Sequence, residues 1–195
     1  MFITFEGIDG SGKTSLIPLI ADWLEQQRRE VVCTREPGGT DSGERIRFAL
    51  DWHCNKKTAF LLYLADRAEH VEKVIRPALA KGQIVLCDRY IDSTYAYQPD
   101  YFPIHKGCAF ASGGLMPNLT ILLDVSAETA AKRIYQRGEN PPDLKELEDL
   151  RDIRRKYQDL WRADPYRIKA IDAERPASTV YNEVTKAIQE AGLGL

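Results

Sequence analysis

Residues 7–14 read Gly-Ile-Asp-Gly-Ser-Gly-Lys-Thr, a G-x-x-x-x-G-K-[ST] pattern placed directly behind the apolar run Phe2–Phe5 and in front of a stretch that opens as a helix. Glycines at this spacing let the backbone curl until its N–H groups converge on one point, and the helix that follows aims its positive end at the same point. Such a turn needs a strand feeding it and a helix leaving it, so it commits the start of the chain to a strand–helix–strand unit. Four further short apolar runs, Val31–Thr34, Ile84–Cys87, Leu119–Leu123 and Ile168–Ile171, are separated by longer stretches that read as helices. Five strands alternating with helices predict an α/β fold: a five-stranded parallel sheet with helices on both faces.

Ser126 is placed to cap a helix over Ala127–Arg137 that Gly138 ends, and Gly82 to close one over Ala68–Lys81. Pro77 falls inside the latter and predicts a kink or restart. Pro18 sits about a turn into the first helix, where it costs stability unless the local geometry adapts. Residues 138–143, Gly-Glu-Asn-Pro-Pro-Asp, have loop composition, and a charged amphipathic helix follows from Leu144 to about Arg162. This loop would serve as a plain connector, but Lys132, Arg133 and Arg137 lead directly into it, and a lid at about residues 133–145 closing over a charged ligand needs donors there.

The 195 residues carry 27 Lys+Arg against 29 Asp+Glu, a net charge of −2, and 44% are hydrophobic. One domain of this size buries roughly 70% of its unfolded surface, so neither disulfides nor a structural metal is called for. The near-neutral charge argues against a polybasic membrane anchor or a general nucleic-acid surface, and no 18-residue apolar stretch is present to span a bilayer. Cys33, Cys54, Cys87 and Cys108 form no C-x-x-C pair, and no secretory leader pattern precedes the first strand, so a reduced cytoplasm is the expected location. Cys33 and Cys87 lie in apolar runs and are expected to be buried. His53 adjoins Cys54, but neither His70 nor His105 stands at a ligand-like spacing, so no metal site is expected there.

The chemistry-bearing residues fall into three groups. Gly7, Ile8, Asp9, Gly10, Ser11 and Gly12 form the phosphate-cradling P-loop of a nucleoside-triphosphate site; Lys13 is expected to reach the β and γ phosphates, and the Thr14 hydroxyl to join a Mg²⁺ shell. Asp88, closing the third strand, lies on the ligand side of a parallel sheet and is expected as an outer-sphere Mg²⁺ partner, with Arg89 aimed at the same crevice; taken alone, structural ion pairing would explain both. The third group comprises Thr34-Arg-Glu-Pro-Gly-Gly-Thr40, Tyr63 with Arg67 on one helical face, and Ser93-Thr-Tyr-Ala-Tyr-Gln98, whose Thr94, Tyr97 and Gln98 offer hydroxyl and amide groups to a base edge or simply form a polar turn.

The runs Phe5-Glu-Gly-Ile-Asp-Gly-Ser-Gly-Lys-Thr14, Thr34-Arg-Glu-Pro-Gly-Gly-Thr40, Ala65-Asp-Arg67, Asp88-Arg-Tyr90 with Ser93-Thr-Tyr-Ala-Tyr-Gln98, and Pro117-Asn-Leu-Thr-Ile-Leu-Leu-Asp124 resemble thymidylate kinases, in that family's order and from end to end of the chain. The resemblance implies a P-loop nucleoside-monophosphate-kinase fold and Mg²⁺-dependent transfer of the γ-phosphoryl of ATP to dTMP, giving dTDP and ADP. It also implies a homodimer packed through the Thr58–Arg67 region, although Phe60, Leu61 and Leu64 there would serve equally as core. By the same resemblance Asp9 contacts the acceptor sugar, and Glu36 and Pro37, commonly at a cis peptide, shape the acceptor pocket. Tyr63 stacks on thymine where the family commonly has phenylalanine. Arg67 and Arg89 hold the dTMP phosphate, Thr94 and Gln98 approach the base, and Tyr97 crowds the 2′ position.

On the donor side the resemblance brings Arg133, Asp172 and Ala173 to ATP. Because Gly10 fills the P-loop position where one branch of the family carries its catalytic arginine, the resemblance places that arginine in the lid, with Arg133 and Arg137 as candidates beside Lys13 and Arg89. The Asp-Arg-Ile-Glu stretch usual after the lid is replaced by Asn140-Pro-Pro-Asp143, and Pro99 stands where glycine often follows Tyr-Gln. A kinase for another nucleoside monophosphate or a deoxynucleoside is one alternative, and a nucleotide-binding regulatory protein another. Neither nucleic acid nor a membrane is an expected partner.

Overall fold

The computed structural model describes residues 1–51, 54–98, 104–140 and 142–192, so His53 and Pro99 lie outside the described residues, as does Pro141. The strands are β1 (Phe2–Glu6), β2 (Val31–Arg35), β3 (Ile84–Asp88), β4 (Leu119–Asp124) and β5 (Ile168–Asp172). They form one sheet in the order β2-β3-β1-β4-β5, parallel throughout. Each strand runs one residue past its apolar run, and that residue is charged in every case: Glu6, Arg35, Asp88, Asp124 and Asp172. Hydrophobic patterning stops where the sheet's carboxyl edge begins, and that edge is where a parallel sheet binds its ligands.

Period-two alternation divides the strands between two cores. Ile3, Phe5, Leu86, Ile121 and Leu123 pack with Leu16, Ile17, Ile20 and Leu24 of α1 (Lys13–Gln26) and with Val180, Val184 and Ile188 of α9 (Ala177–Glu190). Phe2, Val85 and Cys87 face the opposite way, onto Phe60, Val71, Ile75, Ile104 and Cys108. Cys33 departs from its expectation: it is exposed, on β2 at the edge of the sheet. Cys87 is fully buried in the sheet.

The remaining helices are α2 (Asp41–Asp51), α3 (Lys56–His70), α4 (Arg76–Ala80), α5 (Ile91–Tyr97), α6 (Ile104–Ser112), α7 (Ala127–Gln136) and α8 (Leu144–Ala163). The helix expected to begin at Ala68 begins instead at Lys56, where Asn55 caps it by accepting from Thr58 N. It passes through a π-helical turn at Val71–Ile75 before α4 restarts with Pro77 in its first turn. A proline has no N–H for the carbonyl one turn back, and the wider turn accommodates that step. Pro18 stands on the exposed face of α1, which runs through it unbroken. Ser126 caps α7 through Thr129 N as expected, and Gly138 follows its end at φ +84°. Asp143 and Glu146 form a reciprocal capping box at the start of α8, so the end of the loop after α7 serves as a helix start. Among the described residues no helix is long and apolar enough to cross a membrane.

Candidate active site

The P-loop follows β1 and wraps the N-terminus of α1. Gly7 has φ +137°, and a Cβ there would stand 2.6 Å from the Leu123 carbonyl oxygen; at Gly10, φ +80°, it would stand 2.5 Å from that of Ala130. Only glycine lets the loop lie this close to β4 and α7. Inside the curl the Lys13 ammonium donates to the carbonyls of Gly7 (3.0 Å) and Ile8 (3.1 Å) and to Ser11 Oγ (3.3 Å). Burial lowers its pKa to about 8, repulsion by Arg89 adds to this, and Asp88 and Asp9 offset part of it. A buried cation bonded only to neutral oxygens is set to take an anion.

Across the loop, Thr14 Oγ1 donates to Asp88 Oδ2 at 3.3 Å, while Asp88 Oδ1 is buried with no hydrogen-bond partner among the described residues. A hydroxyl beside a carboxylate with an unclaimed oxygen fits a hydrated Mg²⁺ whose other ligands come from phosphate. No cluster of three or more His, Cys, Asp or Glu suited to a metal occurs among the described residues, so such an ion would depend on the nucleotide.

Two arginines stand opposite the P-loop, Arg67 on α3 and Arg89 in the turn after β3. Arg67, from α3, is buried: its Nε and Nη2 lie 2.9 and 2.7 Å from Glu36 Oε2, its Nη1 donates to Thr94 Oγ1 at 2.9 Å, and its guanidinium lies 4.9 Å from the Tyr90 ring centre. Burial alone would weaken this cation, but Glu36 raises its pKa above the usual value. The other Glu36 oxygen meets His70 Nδ1 at 3.0 Å, and His70 Nε2 lies 2.6 Å from Thr34 Oγ1. The Glu36–Pro37 peptide is cis, as the resemblance implied, and Asp66 holds the next turn by accepting from Gly38 N at 3.0 Å. Burial pushes the Asp66 carboxyl up to about 6.

Arg89 has φ +68°, rare for a side-chain-bearing residue, and its N–H donates to Phe5 O at 2.9 Å. Its Nη2 reaches Asp9 Oδ1 at 2.7 Å and Tyr97 OH at 3.2 Å, and the guanidinium lies 5.0 Å from the Tyr97 ring centre. Desolvation pulls the Asp9 carboxyl upward, but Arg89 and Lys13 together hold it below the usual carboxylate range.

A cavity of about 430 Å³ joins the two halves. Lys13, Thr14 and Asp88 line it on one side; Glu36, Pro37, Tyr63, Arg67, Thr94, Tyr97 and Gln98 line the other, with Asp9 and Arg89 between them and Arg137 also in the lining. The family profile described as thymidylate kinase matches residues 5–184. The chain belongs to the thymidylate kinase family. Relatives named thymidylate kinase are 40% identical in Desulfosudis oleivorans, over 97% of this chain and 96% of the relative, and 42% identical in a Nostoc species, over 97% and 93%. The crystal structure of thymidylate kinase from Ehrlichia chaffeensis superposes with a TM-score of 0.78 at 33% identity, covering 97% of this chain and 98% of that one.

Within this thymidylate kinase framework, the expected donor residues do not all share the cavity. Gly10 and Gly12 line it, whereas Gly7, Ile8 and Ser11 do not, although their oxygens accept from Lys13 within the loop. Arg133, Asp172 and Ala173 cluster outside it. Arg133 Nη2 donates to Ala173 O at 2.7 Å and its Nη1 lies 3.5 and 3.4 Å from the Gly10 and Ser11 carbonyls, so it ties the P-loop to the turn after β5. Of Arg133 and Arg137, it is Arg137, at the C-terminal cap of α7, that lines the cavity. The sequence reading gave no role to Arg35, Arg47, Leu50 or Ser93, all of which line the cavity, nor to the buried Glu6 beneath it. The Glu6 signal was a charged residue between an apolar run and the P-loop glycine.

Proposed function

We propose that this chain transfers the γ-phosphoryl group of ATP to dTMP, giving dTDP and ADP. The observation that carries the reading is the pairing, in one cavity, of a P-loop lysine with two arginines across from it. A protein that only bound a nucleotide would have no use for the second cationic site. The acceptor is already an anionic phosphate, so no general base is required, and the work is positioning and electrostatic stabilisation. Lys13 and the P-loop N–H groups hold the donor phosphates, Arg67 and Arg89 hold the dTMP phosphate, and Arg137 supplies positive charge as the lid closes. Thr14 and, through water, Asp88 would hold Mg²⁺, which would neutralise charge on the donor phosphates.

Tyr63, on α3, is placed to stack on the base, with Thr94 and Gln98 at its edge and Pro37 at its flank. Asp9 and Tyr97 bracket the sugar, Tyr97 crowding a 2′-hydroxyl. Arg133, Asp172 and Ala173 take the adenine end of ATP. The lid spans about residues 133–145 of a single domain. Leu61 on α3 and Phe110 on α6 are exposed apolar side chains on two helices that pack together, which supports a homodimer through these helices, and a reduced cytoplasm suits the four unpaired thiols.

The test is ADP release from Mg·ATP against dTMP, dUMP, dGMP, UMP, AMP and thymidine, with no acceptor as the control. Preference for dTMP is expected. Preference for another acceptor would overturn the assignment of Tyr63 and Gln98 to thymine, and ATP binding with no acceptor-dependent turnover would favour a regulatory protein.

A further inference from the structure

The turn that carries Arg89 is built on a carboxylate sealed beneath the cavity floor. Glu6 is fully buried, and both its oxygens are claimed: Oε1 accepts from Tyr90 N at 2.7 Å, and Oε2 from Ser93 Oγ at 2.5 Å and Tyr157 OH at 2.8 Å. The two hydroxyls are themselves 2.8 Å apart. Each carries one proton. With both directed at Glu6, neither has a proton for the other, and the donor facing their lone pairs is Arg89 Nη1, 3.2 Å from Ser93 Oγ and 3.4 Å from Tyr157 OH. The same nitrogen lies 3.2 Å from Gly7 O. One edge of the guanidinium is thus seated on oxygens turned toward it by a buried anion, which leaves Nη2 to face the cavity.

Glu6 also fixes the backbone. The positive φ of Arg89 is held on one side by its own N–H on Phe5 O and on the other by Tyr90 N on Glu6. Burial and the neighbouring Asp92 both work against the charged form of Glu6, whose pKa is raised even though Ser93, Arg89 and Tyr157 oppose the shift. Burying a carboxylate is costly, and an apolar residue here would strand Tyr90 N and the two hydroxyls without their acceptor, so the carboxylate and its three donors work as one unit rather than as packing.

We propose that Glu6, acting through Ser93 and Tyr157, is the positioning group that aims Arg89 at the acceptor phosphate, with Tyr157 contributed by α8, the helix that follows the lid loop. This rests on the reading of Arg89 as a ligand of that phosphate. The ring of Tyr157 packs with Ala96, Leu122 and Ile168, so Tyr157→Phe removes one oxygen and keeps the packing. Glu6→Gln acts differently. It retains an acceptor for Tyr90 N but replaces Oε2 with an N–H donor, so the hydroxyls must accept from it and turn their own protons toward Arg89.

The experiment measures KM for dTMP and for ATP, kcat, and equilibrium dTMP binding by calorimetry, for the wild-type protein, Tyr157→Phe, Ser93→Ala and Glu6→Gln, with Tyr157→Phe repeated on an Arg89→Lys background. Tyr157→Phe is expected to weaken dTMP binding and raise its KM on the order of tenfold, the range for a hydrogen bond to a charged group, with KM for ATP within about twofold. Glu6→Gln is expected to lose at least as much. On the Arg89→Lys background, where an ammonium cannot use the fork, Tyr157→Phe is expected to add less than about twofold. Unchanged dTMP binding, equal losses for ATP and dTMP, or the same loss on both backgrounds would overturn the proposal. If one of the four fails to fold, the ratio for those that do decides it. The wild-type protein reports separately on the underlying reading: if it prefers another monophosphate, the same ratios are taken with that acceptor, and if it binds none the proposal falls with the reading.

Discussion

Arg67 and Arg89 look equivalent in the sequence, each beside an aspartate in a short charged block, yet the structure builds them in opposite ways. The Arg67 side chain is 2% exposed and its counterion Glu36 4%; Arg89 is 17% exposed and its counterion Asp9 62%. The first ion pair is closed off from water, with Glu36 also held by His70 and Arg67 also held by Thr94. The second bridges a buried socket and open cavity. A closed pair forms a fixed wall, because separating it strands a charge in a dry place. A pair with one wet partner is adjustable, since Asp9 regains water when the guanidinium turns to a phosphate.

The largest expected effect therefore belongs to the wall. Arg67→Ala leaves Glu36 buried without its guanidinium and is expected to lower unfolding stability by about 3–5 kcal/mol, read by urea denaturation. The double variant Arg67→Ala/Glu36→Ala is expected to lose clearly less than the sum of the two single changes. A loss below about 1 kcal/mol for Arg67→Ala would break the distinction between the two arginines.

Arg89→Ala is expected to reverse the balance between stability and activity. Turnover with dTMP should fall by roughly 10²–10³-fold, as for removal of a donor at a transition state. Its stability loss should be smaller than that of Arg67→Ala, because Glu6 keeps three hydrogen-bond donors without Arg89. Near-normal turnover by a folded Arg89→Ala protein would remove the arginine from the proposed mechanism.

The sequence made the wall and the loop visible in different degrees. The P-loop was legible because strand, glycine spacing, lysine and helix are contiguous, and the five strands because their apolar runs are short and β-branched. Asp88 was read as closing its strand, but the last residue of the other four eluded the pattern. Glu6 and Asp124 end apolar runs as charged residues, so hydrophobicity assigns them to loops although the ladder continues through them. Tyr157 was illegible for another reason: it meets Glu6 across 151 residues, and nothing in its own stretch of α8 marks one buried tyrosine among charged neighbours. The helices α2, α5, α6 and α9 also carried no boundary that the pattern could fix. Arg133 and Arg137, four apart, looked interchangeable; α7 ends between them, so one turns to the P-loop carbonyls and the other to the cavity.

Lys13 extends the comparison to a cation bonded only to neutral oxygens. Its pKa falls from the usual 10.5 to about 8, so between those values the unfolded chain holds a proton that the folded one has lost. Stability of the nucleotide-free protein should therefore contain a contribution that rises with pH across about 8 to 10.5, with the full penalty present below pH 8. Lys13→Met is expected to be more stable than the wild type at pH 7 by up to about 3 kcal/mol, the equivalent of that shift, and to have lost its turnover. The gap should close as the pH climbs through the window. A variant less stable than the wild type at pH 7 would show that Lys13 is compensated by contacts other than those described.

The smallest effect is expected just beyond α7, in the proposed lid, where both partners of an ion pair are wet. Arg137 lies 3.5 Å from Glu139, with side-chain exposures of 52% and 61%. Solvent screens such a pair, and exposed pairs of this kind contribute about 0–1 kcal/mol. Glu139→Gln is thus expected to change unfolding stability by less than about 0.5 kcal/mol and turnover by less than about twofold, measured alongside Arg137→Ala, which removes the arginine itself. If counterion exposure governs how freely an arginine can turn to a phosphate, Arg137 is already free to do so and removing Glu139 releases nothing. A tenfold change in turnover for Glu139→Gln would mean that Glu139 guides lid closure, and exposure alone would then not sort the arginines of this site.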